Sequence, residues 1–139
     1  MIRINRRQLI ALGTALVPSF LLRNSGSAEA ATAGTKVTKS STIKVGQTKV
    51  FTGQTTSGQR MELILTRTKK GLFALNGACT HQGCAVSPQG AKLICPCHGS
   101  IFANDTGACI MGPNGAPKNS LLPLAKFTTT EKGGYIYIK

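Results

Sequence analysis

Short segments that alternate apolar and polar residues recur along this chain from about residue 42 onward, and their period is that of half-buried β-strands. The segments with this pattern are residues 42–45, 49–52, 61–67, 72–76, 92–94, 101–103, 108–111, 124–129 and 135–138. Glycine-containing turns separate them, at Gly46, Gly58, Gly71, Gly107 and Gly133-Gly134. No segment shows the apolar stripe of an amphipathic helix. The pattern therefore predicts an all-β fold, a small antiparallel β-sandwich or barrel.

The N-terminus follows a different pattern, that of an export signal. An arginine pair, Arg6-Arg7, precedes an apolar run at 9–22, and residues 28–30 read AEA, a cleavage pattern. This arrangement resembles a twin-arginine signal. The run of 14 residues would be about 21 Å long as a helix, against roughly 30 Å of membrane hydrocarbon. A cleaved signal at 1–30 is therefore favoured over the alternative, a retained anchor on the outer face of the plasma membrane.

The remaining chain divides into a linker and one domain. Residues 31–42 are small and polar and are predicted to form a flexible linker. Residues 43–139 then form the predicted domain, which is long enough for one small core.

Two six-residue segments hold most of the chemistry that the chain offers. The first loop, residues 79–84, reads CTHQGC, and the second loop, residues 95–100, reads CPCHGS. Together they contain four of the five cysteines and both histidines, and neither contains an acidic residue. Thiolates and imidazoles suit zinc, copper and iron–sulfur centres rather than calcium or magnesium. The two loops therefore predict a metal site.

Two simpler interpretations explain the loops less well. Structural zinc sites usually use C-x2–4-C and H-x3–5-H spacings, and the H-x3–5-H spacing does not occur here, since each loop carries one histidine. A scaffold held only by disulfides would not explain why both histidines fall inside the loops.

The two loop sequences closely resemble those of Rieske [2Fe–2S] proteins, and the resemblance covers roughly residues 43–139. It implies that cluster-binding loops lie at one tip of the β fold. It also implies that Cys79 and Cys95 bind one iron, while His81 and His98 bind the other. Cys84 and Cys97 would then form a disulfide between the loops. Such a disulfide persists outside the cytosol, in agreement with the export signal.

The same resemblance implies roles for residues around the cluster. Ser100 matches the serine whose hydroxyl donates to a bridging sulfide. Phe102 stands where high-potential members carry a tyrosine that donates to a cysteine sulfur. Gly112-Pro113 opens a segment, residues 112–123, that is similar to the proline loop covering the cluster, and the alternative is a plain surface turn. We call this segment the cover loop.

A cluster with two imidazole ligands is formally neutral when oxidised, which favours uptake of an electron. Rieske centres therefore have potentials of about −150 to +300 mV, against about −400 mV for plant-type ferredoxins. Ser100 and the disulfide favour the positive half of this range. Because Phe102 cannot donate a hydrogen bond, we expect a potential below that of members with both donors.

The fifth cysteine, Cys109, lies in a strand-like run outside the loops. It is predicted to serve as a small buried apolar residue. The alternative is an exposed reactive thiol or an intermolecular disulfide.

The net charge of +13 narrows the classes of partner. A cationic domain is attracted to acidic redox partners and to anionic surfaces, although solvated surface charge is the simpler interpretation. The basic residues are scattered and no aromatic RNA-binding signature accompanies them, so nucleic acid is not an expected partner.

Two functions remain after this comparison. One is an exported electron carrier or small subunit of an oxidoreductase. The other is the Rieske subunit of a cytochrome bc-type complex, with cytochrome b and quinol as partners. A Rieske oxygenase is excluded, because its additional mononuclear iron needs further histidines and a carboxylate. In each case the chain is an electron-transfer protein or redox subunit rather than a stand-alone enzyme.

Overall fold

The computed structural model describes residues 34–54 and 57–139, which all belong to one unit, Thr32–Lys139. The predicted export signal (1–30) and the start of the predicted linker (31–33) lie outside the described residues. The described residues form eleven strands: β1 Thr35–Lys39, β2 Thr48–Gln54, β3 Arg60–Thr68, β4 Gly71–Asn76, β5 Ser87–Gln89, β6 Lys92–Ile94, β7 Ile101–Ala103, β8 Cys109–Met111, β9 Lys126–Phe127, β10 Thr129–Lys132 and β11 Tyr135–Ile138. Across residues 34–54 and 57–139, no helix has the length and apolar character needed to span a bilayer.

The strands pair antiparallel into three sheets. The outer sheet has the order β1-β11-β10, and the middle sheet has the order β2-β3-β4-β9. The third sheet, β5-β6-β7-β8, carries the second loop between β6 and β7, and we call it the loop sheet. The predicted all-β, antiparallel fold is confirmed.

The middle sheet is buried on both faces. Leu63 and Leu65 of β3 join a core with Ile136 of the outer sheet. Ile64, between them, points the other way and joins a second core with Phe102 of the loop sheet. Because side chains alternate along a strand, this arrangement places the middle sheet between the other two. The alternating pattern of residues 61–67 predicts a half-buried strand. The structure differs from this prediction, because both faces of β3 are covered.

The folded region begins earlier than the sequence predicts. Thr35–Lys39 fall in the predicted linker, but they form β1 and pair with β11. This pairing satisfies the backbone of the segment, and Val37 packs against the core below it. The predicted boundary at residue 43 is therefore corrected: the ladder with β11 brings residues 35–42 into the fold.

The predicted strand at 42–45 is also wrong. Ser40–Thr42 form a 3-10 turn, and a second turn follows, in which the Gln47 side chain accepts a hydrogen bond from the Lys44 N–H at 3.0 Å. Ile43 is nevertheless buried, and its carbonyl accepts a bond from Arg67 Nε at 2.8 Å. Its apolar side chain reflects a core position rather than a strand.

One ion pair joins the outer sheet to the middle sheet. Arg67 of β3 donates two hydrogen bonds to the Glu131 carboxylate of β10, at 2.6 and 3.1 Å. The fork of the guanidinium matches the two carboxylate oxygens. The charged pair lowers the pKa of Glu131 and raises that of Arg67, chiefly through these hydrogen bonds.

Candidate metal centre

The first and second loops share one backbone plan. In each, the first cysteine N–H donates to the carbonyl five residues later: Cys79 to Cys84 and Cys95 to Ser100, both at 2.8 Å. In each, a glycine N–H donates back to the carbonyl of that cysteine, from Gly83 at 2.8 Å and from Gly99 at 3.0 Å. Gly83 and Gly99 have φ of 78° and 72°, a left-handed conformation that glycine adopts without strain.

The two glycines are functional residues that sequence reasoning missed. The signal was present in the sequence, because a glycine follows the first cysteine by four residues in both loops. Each glycine lets the chain turn back on itself, and the histidine lies within this turn, between the glycine and the cysteine. The shared spacing therefore encodes two copies of the same tight turn.

The thiols of Cys79 and Cys95 lie together at the base of the two loops. Both residues are buried, and neither forms a disulfide. Burial raises the pKa of the Cys79 thiol, and the N–H of His81 partly offsets this. The neighbouring Cys95 thiol raises that pKa further. Burial thus disfavours the Cys79 thiolate, and the positive charge of a bound metal would stabilise it.

The two histidines, one from each loop, lie against each other. The rings of His81 and His98 are 4.8 Å apart between centroids and lie nearly perpendicular, at 80°. Both residues are half-buried. The structure thus brings the four predicted ligand residues together in two pairs, Cys79 with Cys95 and His81 with His98.

Two buried polar atoms at this site have no hydrogen-bond partner among the described residues. They are His98 Nδ1 and the Ser100 hydroxyl. The hydroxyl lies near enough to the Cys79 sulfur to lower that thiol's pKa, yet the contact lacks the geometry of a full hydrogen bond. Buried polar groups without partners are rare, because each is costly. An imidazole nitrogen and a hydroxyl left free beside two thiols fit a cluster that needs thiolate, imidazole and a donor to sulfide.

Cys84 and Cys97 form a disulfide that joins the first loop to the second. Their Cα atoms are 6.5 Å apart, within the usual range for the bond, and the disulfide that the resemblance implies is confirmed. The Cys95 sulfur lies within 4.8 Å of both disulfide sulfurs. These three sulfurs do not form a three-ligand site, because disulfide sulfurs offer no thiolate.

The cover loop contacts both of the other loops. Asn114, in a left-handed conformation with φ of 53°, donates its N–H to the His98 carbonyl at 2.8 Å. Thr80 donates its hydroxyl to the Leu122 carbonyl at 2.7 Å. Gly112 is needed for close packing, because a Cβ there would meet Ala116 Cβ at 2.9 Å and would overlap the Ser120 hydroxyl. The segment that opens with Gly112-Pro113 is therefore pinned onto the loop pair, rather than being a plain surface turn.

Phe102 and Cys109 pack behind the thiols. Both are buried in the same core as Cys79 and Cys95. The Cys109 side chain is only 1% exposed. The prediction of a small buried apolar residue is confirmed, and the alternative of an exposed thiol is wrong.

Comparison with known proteins identifies the class to which this fold and site belong. A family model described as the Rieske [2Fe–2S] domain matches residues 34–128. The chain belongs to this family, and its cofactor is a Rieske [2Fe–2S] cluster.

Curated relatives match part of the chain. The chain is 54% identical over 43 residues to the chloroplastic iron-sulfur subunit of the cytochrome b6-f complex of Pisum sativum. It is 42% identical over 67 residues to the corresponding subunit of Synechococcus elongatus. These matches cover 30% and 47% of this chain, but only 18% and 34% of the two relatives. The chain therefore corresponds to about a third or less of the curated relatives that it matches.

Solved structures match over a larger share of the chain. The plasma membrane Rieske protein PetC3 of Synechocystis PCC 6803 superposes with a TM-score of 0.55 at 26% identity, covering 75% of this chain and 97% of that protein. A ferredoxin of Sphingomonas yanoikuyae B1 superposes with a TM-score of 0.56 at 19% identity, covering 76% and 96%. The second likeness concerns the fold alone.

Proposed function

We propose that this protein carries one electron at a time through a [2Fe–2S] cluster held by Cys79 and Cys95 on one iron and by His81 and His98 on the other. The observation that carries the proposal is the meeting of two buried thiols and two half-buried imidazoles on loops of the same build. When bound, the cluster supplies a one-electron couple in the range of about −150 to +300 mV.

The residues around the cluster bind it, shield it from water and hold the two loops together. The thiols of Cys79 and Cys95 lose their protons on binding, and their buried position excludes competing water. The Ser100 hydroxyl is free to donate toward the site. The Cys84–Cys97 disulfide and the cover loop hold the two loops against each other, while the half-buried histidines leave a route for electrons at the surface.

A cysteine comparison tests the ligand assignment. Cys79→Ala should abolish the visible absorbance and the low-temperature electron paramagnetic resonance signal of the reduced protein. The matched control is Cys109→Ala, which removes a buried free thiol from the same core and should retain both signals. A Cys79→Ala protein that keeps the native signals would refute the assignment.

We propose further that the protein works outside the cytosol after export by the twin-arginine route. The arginine pair and the AEA cleavage pattern support this. The loop disulfide supports it as well, since such bonds are rare in the cytosol. Mass spectrometry of the protein recovered from the cell envelope should give a mature chain starting at Ala31. A chain starting near Met1 would support a retained anchor instead.

The second candidate function is that of Rieske subunit in a quinol-oxidising complex that contains cytochrome b. Two observations favour it: the relatives are named as cytochrome b6-f iron-sulfur subunits, and both histidines are only half-buried. Gentle purification of the full chain from its native membranes tests this candidate. A b-type haem spectrum that co-purifies, with quinol-dependent reduction of the cluster, would favour the complex. A haem-free protein reduced only by another redox protein would favour the carrier.

A further inference from the structure

The outward face of the outer sheet presents an unusual set of side chains. Tyr135 and Tyr137 of β11 lie on this face, since Ile136 and Ile138 point into the core. They are the only two tyrosines of the chain. Three lysines stand beside them in the pairing register: Lys36 is opposite Tyr137, while Lys39 and Lys132 are both opposite Tyr135. We call these five residues the Tyr–Lys face.

A bulge in β1 is what brings both lysines of that strand to the same side. The register shifts between Lys36 and Thr38, and Val37 packs against the core. Lys36 then lies over Tyr135, with its Nζ 3.3 Å from the ring centroid. The lysine side chains are exposed and the tyrosines are half-buried. The lysine amines are therefore more accessible to solvent than the tyrosine rings beside them.

No carboxylate shares this face among the residues registered in the outer sheet. Glu131 of β10 is opposite Ile136, on the inward side, and its carboxylate is bound to Arg67. The residues paired in the outer sheet therefore offer these three lysines no carboxylate on the same face. A cationic surface left in this way is complementary to an anionic partner.

The Tyr–Lys face is also remote from the redox site. The middle sheet separates the outer sheet from the loop sheet, because its two faces belong to two different cores. Packed sheets lie about 10 Å apart, so this face is roughly two sheet spacings from the loop sheet. Electron transfer rates fall steeply with distance, so a redox partner docked here would be poorly placed.

We propose that the Tyr–Lys face binds an anionic lipid surface. Lysine ammonium groups are point charges that suit a diffuse array of headgroup phosphates, and tyrosine rings are favoured at the membrane–water interface. A protein partner is a weaker match, because lysine is depleted in protein–protein interfaces. Nucleic acid is weaker still, because Lys36 already covers the ring face of Tyr135 on which a base would stack.

Vesicle co-sedimentation with the full chain tests the proposal. The protein is mixed with phosphatidylcholine vesicles, or with vesicles of phosphatidylcholine and phosphatidylglycerol. The face variant is K36Q/K39Q/K132Q. The matched control is K70Q/K92Q/K126Q, which removes the same charge from exposed lysines outside the outer sheet. All proteins keep residues 1–33, so any binding by that apolar segment contributes equally.

We expect the native chain to prefer the anionic vesicles, and the face variant to lose this preference by roughly a hundredfold, or about fivefold per lysine. The control should lose only a small part of it. The proposal fails if the native chain shows no preference, or if both variants lose it equally, since net charge alone then explains binding. It also fails if the face variant binds vesicles normally but no longer binds polyglutamate or single-stranded DNA. The visible spectrum of the loaded protein reports cluster binding separately, and it should be the same in all three proteins.

Discussion

Phe102 is fully buried in the core that also contains Cys79 and Cys95, at a position where high-potential Rieske proteins are expected to carry tyrosine. In the loaded protein, Phe102→Tyr adds a hydroxyl that can donate to a thiolate sulfur, and such a bond stabilises the reduced form. We expect the reduction potential to rise by tens of millivolts in a spectroscopic redox titration, and Ser100→Ala should lower it.

The control for this change is Phe51→Tyr, since Phe51 packs against the other core, across the middle sheet from the thiols. Phe51→Tyr should not change the reduction potential. An unchanged or lower potential in Phe102→Tyr, with a native visible spectrum, would contradict the expected hydrogen bond.

At the same scale, residue identity alone predicts a metal site, but it does not show which cysteines bind the metal and which form the disulfide. Soft ligands in two loops predict a metal centre. The pairing of Cys84 with Cys97 follows only from the family resemblance, because four cysteines allow several connectivities. The backbone roles of Gly83 and Asn114 depend on φ angles that composition does not encode.

At the scale of the element, the Thr80 hydroxyl donates the only side-chain hydrogen bond from the first loop to the cover loop within the described part of the chain. Thr80→Val keeps the shape of the side chain and removes this donor, at a cost of about 1 kcal/mol. The cover loop should then open more often, so a chelator should bleach the cluster roughly fivefold faster. Stopped-flow absorbance measures this rate.

Thr52→Val on β2 is the matched control, since Thr52 is exposed on a strand of the middle sheet. Its bleaching rate should equal that of the native protein. Equal rates for Thr80→Val and the native chain would mean that the cover loop does not limit access to the cluster.

The elements also show which strands the alternation of apolar and polar residues can predict. Strands whose pattern alternates, such as β2 and β4, lie within one or two residues of their predicted positions. β1 and β10 were missed because their residues are mostly polar, and they are strands only because β11 pairs with both. Long-range pairing of this kind leaves little local signal.

At the scale of the whole molecule, the contact of the outer sheet with the middle sheet includes a charged pair whose strength depends on pH. Arg67 holds the pKa of Glu131 below its usual range. A carboxylate with a depressed folded pKa stabilises the fold above its unfolded pKa of about 4.3 and loses this contribution as the pH falls through the folded value. The side chains are 19% and 39% exposed, so solvent screening limits the contribution to about 1 kcal/mol or less.

Glu131→Gln should therefore lower the thermal unfolding midpoint by a few degrees at pH 7, and the difference from the native chain should shrink as the pH falls below about 4.3. Glu62→Gln removes an exposed carboxylate from β3 and should leave the pH profile close to native. Arg67→Ala should cost more than Glu131→Gln at every pH, because Arg67 also donates to the Ile43 carbonyl. If Glu131→Gln and the native chain kept a constant difference down to pH 3, the ion pair would not be the source of the acid sensitivity, and the two sheets would be joined chiefly by their apolar core.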